Sequence, residues 1–162
     1  MAHSANRSAE PATDREIVIT RTIDAPRELV FEAFTDVRHL SQWWGPTGFT
    51  TTTRAFEFRD GGSWDFVMHG PDGTDYPNWI TWREIARPER ITLLHGDSAD
   101  DPNAFKSVLT FEARGAVTEV VMRTVFPTAE LRDHAVKEYH AIEGGEQTLG
   151  RLADYVTAQE GI

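Results

Sequence analysis

Hydrophobic and polar positions change their spacing twice along this chain. The segment EIVITRTID, from Glu16 to Asp24, alternates and is rich in β-branched residues, which predicts a strand. Asp24-Ala25-Pro26 then opens a helix that continues to about Thr35. A second short helix follows from Asp36 to Trp43, and Asp36 is a good cap for it. From Phe49 onward, hydrophobic residues again recur at every second position, which is typical of β-strands. The pattern predicts a strand, two short helices and then a run of strands.

Six further strands are predicted after these helices. Asp60-Gly61-Gly62 and Pro71-Asp72-Gly73 are typical hairpin turns between them. The predicted strands are Phe49–Phe58, Ser63–His69, Tyr76–Ile85, Arg90–His95, Phe105–Ala113 and Glu119–Phe126. Short strands joined by regular turns indicate a single antiparallel sheet.

The end of the chain returns to helical spacing. Thr128 is a suitable cap for a short helix that ends near Tyr139, and a longer helix is expected from about Ala141 to Gln159. Three glycines interrupt the longer helix: Gly144, Gly145 and Gly150. Either another element approaches these glycines closely or they lie at exposed, tolerant positions. The predicted fold class is α+β, with a curved antiparallel sheet wrapped around the long C-terminal helix.

Composition is that of one globular domain. The 162 residues are 40% hydrophobic and 26% charged. We expect residues 1–15, which lack periodicity, to be a disordered leader and residues 16–160 to form the domain. The absence of cysteine excludes disulfides, thiolate catalysis and cysteine-based zinc sites.

The net charge of the chain affects which partners it is expected to bind. A formal net charge of -10 opposes binding to nucleic acid and to anionic membranes. No signal-peptide pattern is present at the start, so a cytoplasmic location is expected. The oligomeric state is left open, with a homodimer as one option.

Several motifs occur in the order of a known superfamily. The chain resembles SRPBCC (START-like) proteins, in particular the branch of activator of heat-shock ATPase homologues. The motifs are Asp24-Ala25-Pro26, Trp43-Trp44-Gly45-Pro46, Arg59-Asp60-Gly61-Gly62, Pro71-Asp72-Gly73, Arg83-Glu84-Ile85 and Glu143-Gly144-Gly145. The resemblance implies a helix-grip fold, with a cavity for a hydrophobic molecule between the sheet and the long helix.

Aromatic residues are the candidates for lining such a cavity. Trp64, Phe66 and Met68 alternate and therefore share one face of a strand. Trp79 and Trp82 are three apart, so they face opposite sides unless a bulge intervenes. One of Trp43 and Trp44 is expected to anchor the helices, and the other to border the cavity. The candidate ligand-binding residues are Trp44, Trp64, Phe66, Met68, Trp79, Trp82, Leu109, Phe111, Met122 and Glu143.

Catalytic and metal-binding groups are sparse in the sequence. His140 and Glu143 have i, i+3 spacing, but nothing else completes a metal site, so neither a metal nor a cofactor is expected. We expect a carrier or sensor of a lipid, polyketide or aromatic molecule. The alternatives are an enzyme of the cyclase, dehydratase or hydrolase kind using Glu84 or His95, or a chaperone ATPase-activating module. An ion pair, for example from Arg83 to Glu143, is the structural alternative for these charges.

Overall fold

The computed structural model describes residues 13–160. This part of the chain forms seven strands and four helices. The strands are β1 (Glu16–Ile23), β2 (Thr50–Phe56), β3 (Ser63–His69), β4 (Asp75–Ala86), β5 (Arg90–Gly96), β6 (Phe105–Arg114) and β7 (Val117–Val125). The helices are α1 (Arg27–Thr35), α2 (Val37–Trp43), α3 (Ala129–Tyr139) and α4 (Ala141–Glu160).

The strands form one curved antiparallel sheet in the order β1-β7-β6-β5-β4-β3-β2. Its concave face wraps around α4, and α1 and α2 follow β1 in the chain. The predicted α+β helix-grip fold is therefore confirmed. Strands that alternate in polarity bury one face of the sheet, and the long helix supplies the apolar surface that this face needs.

Two helices, α2 and α3, begin where a short polar side chain accepts a hydrogen bond from a free backbone N–H group. Asp36 Oδ1 accepts a hydrogen bond from the backbone N–H of Arg38 at 2.8 Å, at the start of α2. Thr128 Oγ1 accepts one from Leu131 N–H at 3.1 Å, at the start of α3. Both caps were predicted from the sequence. Pro26 is the cap residue of α1 itself, so that helix begins one position later than expected.

Aromatic rings pack together where α1 meets the sheet. Phe31 and Phe34 of α1 each make an edge-to-face contact with Phe111 of β6, with ring centroids 5.4 Å apart. Trp43 packs edge-to-face on Phe34 and donates a hydrogen bond from Nε1 to the carbonyl of Ala33 at 3.2 Å. Trp43 is therefore the tryptophan that anchors the two short helices.

A register shift in β4 interrupts the alternation of its side chains. The pairing of β4 with β5 slips by one residue between Trp82 and Glu84. As a result Trp82 is buried, while Arg83 and Glu84 are both exposed. The shift separates these two charged side chains from the interior.

The predicted leader lies almost entirely outside the described residues. Of its fifteen positions, only Thr13–Arg15 are described. The backbone N–H of Phe126 donates to the carbonyl of Arg15 at 2.9 Å, which ties this end of the chain to the residue after β7. No helix in the described part of the chain is both long and apolar enough to cross a membrane.

Candidate functional site

One end of the concave face combines polar groups with half-buried apolar side chains. There β5 ends at His95 and Gly96, and β6 begins at Phe105. The first turns of α4 cross the adjoining part of the concave face, where Gly144 lies beside Pro46 and Gly145 beside Ile19 and Met122. Met122 pairs with Leu109, four residues along β6 from Phe105. We call this region the His95 end.

Aromatic rings surround the imidazole of His95. The centroid of the His95 ring lies 4.8 Å from that of Phe105, 6.1 Å from that of Phe66 and 6.2 Å from that of Trp44. Trp64 stacks on Phe66 with centroids 3.7 Å apart and contacts Trp44 edge-to-face. The imidazole is thus held in an apolar environment that disfavours its charged form.

A short chain of hydrogen bonds fixes the orientation of His95. Nδ2 of Asn78 donates to the carbonyl of Tyr76 at 2.9 Å, which turns Oδ1 of Asn78 toward His95. Nε2 of His95 lies 2.6 Å from that Oδ1. Because a carbonyl oxygen only accepts, Nε2 carries the proton and Nδ1 holds a lone pair. Among the described residues, Nδ1 has no hydrogen-bond partner.

Burial lowers the pKa of His95 to about 4, and the negative charge of Asp101 opposes this effect only in part. His95 is therefore neutral at physiological pH. A neutral imidazole with one donated proton and one open lone pair can accept a hydrogen bond, but it carries no charge for an ion pair.

A second polar pair lies in the neighbouring row of the concave face. Ser107 pairs with Leu93 and Thr124 across the strands, and its Oγ lies 3.0 Å from Oγ1 of Thr124. Both residues are buried. Two hydroxyls that satisfy each other can remain in an apolar interior at little cost, so this pair needs no further partner.

Two methionines adjoin the region. Met68 of β3 is half-buried, and a Cβ placed on Gly45 would come within 2.6 Å of its Cε, so only glycine leaves this space to the methionine. Met122 of β7 is also half-buried, and its Cε would lie 3.4 Å from a Cβ on Gly145. Unbranched thioether side chains adapt to irregular spaces. They are the side chains in this region best able to make room.

Arg151 of α4 holds the turn that carries Trp44. Its Nη1 donates to the carbonyls of Trp44, Gly45 and Pro46 at 3.2, 3.0 and 2.9 Å, and its Nη2 donates to the carbonyl of Gln42 at 3.3 Å. These carbonyls belong to the end of α2 and the turn after it, where backbone oxygens lack helical partners. Burial lowers the pKa of Arg151.

The family model described as "Activator of Hsp90 ATPase homolog 1-like protein" matches residues 24–157. The chain belongs to this family. Comparison with curated proteins gives no match.

Solved structures share the fold of this family member. A Nitrosomonas europaea protein is 18% identical with a TM-score of 0.83, and the alignment covers 94% of this chain and 100% of that one. An Arthrobacter aurescens protein is 22% identical with a TM-score of 0.82, covering 92% and 90%. A Mycobacterium smegmatis protein is 24% identical with a TM-score of 0.80, covering 90% and 93%. At these identities the likeness concerns the fold.

The predicted lining residues separate into three groups. Those that are fully buried, at most 1% exposed, pack as core: Trp64, Phe66, Trp82, Leu109 and Phe111. Those that border the interior and are less enclosed are Trp44, Met68 and Met122. Two residues lie elsewhere. Trp79 is on the convex face, where it pairs across the strands with Asp65, and Glu143 is exposed on α4. Of the two tryptophans of β4, Trp82 faces inward.

The charged candidates for catalysis do not enter the interior. Glu84 is exposed and forms a bidentate ion pair with Arg90, at 2.9 and 3.2 Å, and hydrogen bonding by this arginine lowers the pKa of Glu84. The carboxylate of Glu84 therefore lies on the solvent side, in an ion pair, which is the structural alternative for this residue. The partner of Glu84 is Arg90, and no ion pair joins Arg83 to Glu143 in the described part of the chain.

Surface grooves are present in the described part of the chain, and one of them borders the start of α4. One, of about 420 Å³, is open and lined by polar side chains, among them Arg21, Glu143, Glu146 and Asp154. The other, of about 300 Å³, lies on the convex face between Arg83 and Lys106. Neither is lined by the predicted aromatic residues, so an apolar internal cavity stays a prediction.

Sequence reasoning missed several residues of the His95 end. Asn78, Phe105, Ser107 and Arg151 were not singled out. A signal for His95 was present, since it continues the alternation of Ile91 and Leu93, both buried. A histidine at a core-facing position of a strand needs a polar partner, and that requirement could have directed attention to Asn78.

Proposed function

We propose that this protein binds a small apolar molecule at the His95 end, between the concave face and the start of α4, as a carrier or sensor. The observation that carries the proposal is the set of half-buried apolar side chains there: Met68, Phe105 and Met122. They lie between a fully packed aromatic core and the solvent. A ligand that displaced them would gain apolar contact without opening the core.

The close approach of α4 supports this location. Gly145 lets the helix pass directly over Ile19 and Met122, since a Cβ there would lie 3.0 Å from Cγ1 of Ile19. The first turn of α4 is thus the cover of the site, and the turn at Trp44–Pro46 is its side wall. Rotation of the two methionines is the smallest change that makes room for a bound ring.

Replacing Met122 with a charged residue tests whether the ligand binds at this place. We expect N-phenyl-1-naphthylamine, an apolar fluorescent probe, to bind the wild-type protein with micromolar affinity and to quench tryptophan emission. In Met122→Glu the affinity should fall at least about tenfold, because a carboxylate on the concave face opposes burial of an apolar molecule. Fluorescence titration measures both effects.

Val121→Glu is the matched control, since Val121 is the adjacent residue of β7 and lies on the opposite face. It should bind the probe as the wild type does. Thermal unfolding of both variants separates lost binding from lost folding. Absence of probe binding to the folded wild-type protein, or equal binding by the folded variants, would refute the proposal.

Activation of a chaperone ATPase is the competing proposal, and the family description is what supports it. Such a role calls for an apolar docking surface. In the described part of the chain, the large apolar side chain that is mostly exposed is Tyr139 at the end of α3, at 67%. Stimulation of the ATPase rate of a purified Hsp90-type chaperone by this protein would favour that role.

A further inference from the structure

We infer that the ligand of the His95 end carries an O–H or N–H donor, as a neutral phenol or alcohol does, and that Nδ1 of His95 accepts its hydrogen bond. This inference rests on the proposed function and narrows its ligand class. It depends on one residue, His95, whose chemistry is fixed by its neighbours.

The hydrogen bonds of Asn78 determine which ring nitrogen of His95 carries the proton. Asn78 cannot turn its amide without losing the hydrogen bond from Nδ2 to the carbonyl of Tyr76. Its Oδ1 therefore stays toward Nε2 of His95, 2.6 Å away, and keeps the proton on that nitrogen. The lone pair consequently remains on Nδ1. A ligand meets an acceptor here and not a donor.

Among residues 13–160, no side chain donates a hydrogen bond to that lone pair. The rings within about 6 Å are Trp44, Phe66 and Phe105. The indole of Trp64 donates from Nε1 to Oγ1 of Thr53 at 3.0 Å, and the buried hydroxyls of Ser107 and Thr124 bond to each other. Asp101 is the charged group that acts on His95, and a carboxylate also only accepts. An acceptor held among aromatic rings gains from any donor that a ligand brings.

The same geometry selects against other ligands. A carboxylate, ketone or ether places an oxygen lone pair against that of Nδ1, and no hydrogen bond forms. The neutral state of the ring, which follows from its burial, removes the ion pair that an anionic ligand would seek. The ligand class that remains is an aromatic or alicyclic molecule with a neutral hydroxyl or N–H group.

Paired probes test the inference. We would titrate 2-naphthol and 2-methoxynaphthalene, which share the ring system but differ in the donor, into the wild-type protein, His95→Leu and His134→Leu. A hydrogen bond to an apolar-site acceptor contributes about 1 kcal/mol, or roughly fivefold in affinity. We expect the naphthol-to-ether affinity ratio in the wild type to exceed that in His95→Leu about fivefold. His134 is exposed on α3, so His134→Leu should keep the wild-type ratio.

Nitrogen-15 NMR of the histidine side chains provides a readout that needs no variant. The Nδ1 resonance of His95 should shift on addition of 2-naphthol and remain in place with 2-methoxynaphthalene. If the two probes bind with the same ratio in the wild type and in folded His95→Leu, and Nδ1 does not respond, the inference is wrong while the proposed binding function stands. If neither probe binds, the proposed function fails and the inference with it.

Discussion

Arg151 shows how a single side chain can position a site that it does not line. Its guanidinium reaches four backbone carbonyls around Trp44, whereas an ordinary ion pair would have joined it to one carboxylate. The planar fork of arginine suits this task, since several N–H groups diverge from one rigid plane. The cation also lies at the C-terminal end of α2, where the helix dipole favours positive charge. Through this contact α4 holds the ring of Trp44 against His95.

Arg151→Met should lower the free energy of unfolding by about 2 kcal/mol, since hydrogen bonds from a charged donor contribute about 1.5–3 kcal/mol. The methionine keeps the apolar stem and removes the donors. Urea unfolding measures the loss, and tryptophan emission should move to longer wavelength as Trp44 becomes more exposed. Arg21→Met is the control, because Arg21 lines the same surface groove but donates no hydrogen bond to the described residues. Equal effects of the two substitutions would contradict this role for Arg151.

At the scale of elements, two glycines of α4 have different structural roles. Gly145 faces the sheet, and a Cβ there would lie 3.0 Å from Cγ1 of the buried Ile19. Gly150 meets only the exposed Arg21, at 3.6 Å from Nη1, which is ordinary contact. The sequence offered close approach and tolerance as the two explanations for these glycines. The structure assigns the first to Gly145 and the second to Gly150.

Alanine at these two positions should therefore have different effects. Gly150→Ala is expected to raise the free energy of unfolding by up to about 1 kcal/mol, the difference in helix propensity. Gly145→Ala gains the same propensity but presses on Ile19, a β-branched side chain with little rotamer freedom, so its net effect should be zero or destabilising. Thermal or urea unfolding of the two variants gives the comparison. Similar stabilisation by both would show that α4 can move away from β1.

For the whole molecule, spacing in the sequence was enough to predict the fold but not the site. Strand alternation and the caps at Asp36 and Thr128 predicted the elements, and their order predicted the sheet and the long helix. Alternation places Trp79 and Trp82 on opposite faces, but it does not say which face is concave. The register shift beyond Trp82 moved Glu84 to the solvent, and nothing local indicates such a shift. The contact of His95 with Asn78 depends on strand register, which alternation alone leaves open.

The half-buried imidazole of His95 also links the site to the stability of the whole molecule. The pKa of His95 is about 4 in the folded protein and 6.5 without burial. Between these values the unfolded chain binds a proton at this residue and the folded chain does not. Stability therefore rises with pH across this interval and is lost as pH falls through it. The net charge of -10 acts in the opposite sense, since acidification relieves repulsion between carboxylates.

His95→Gln separates these two effects. Glutamine does not titrate and keeps an N–H group for Asn78, so the variant should lack the part of the pH dependence that His95 causes. Since one pKa unit corresponds to about 1.4 kcal/mol, acidification from about pH 7 to about pH 4 should cost the wild-type protein about 2–3 kcal/mol more than it costs the variant. Urea unfolding at several pH values measures this difference, and His134→Gln, at an exposed position of α3, should behave as the wild type does. Parallel pH profiles for the wild type and His95→Gln would mean that His95 takes up a proton as readily in the folded protein as in the unfolded chain. The apolar environment assigned to the imidazole would then be wrong.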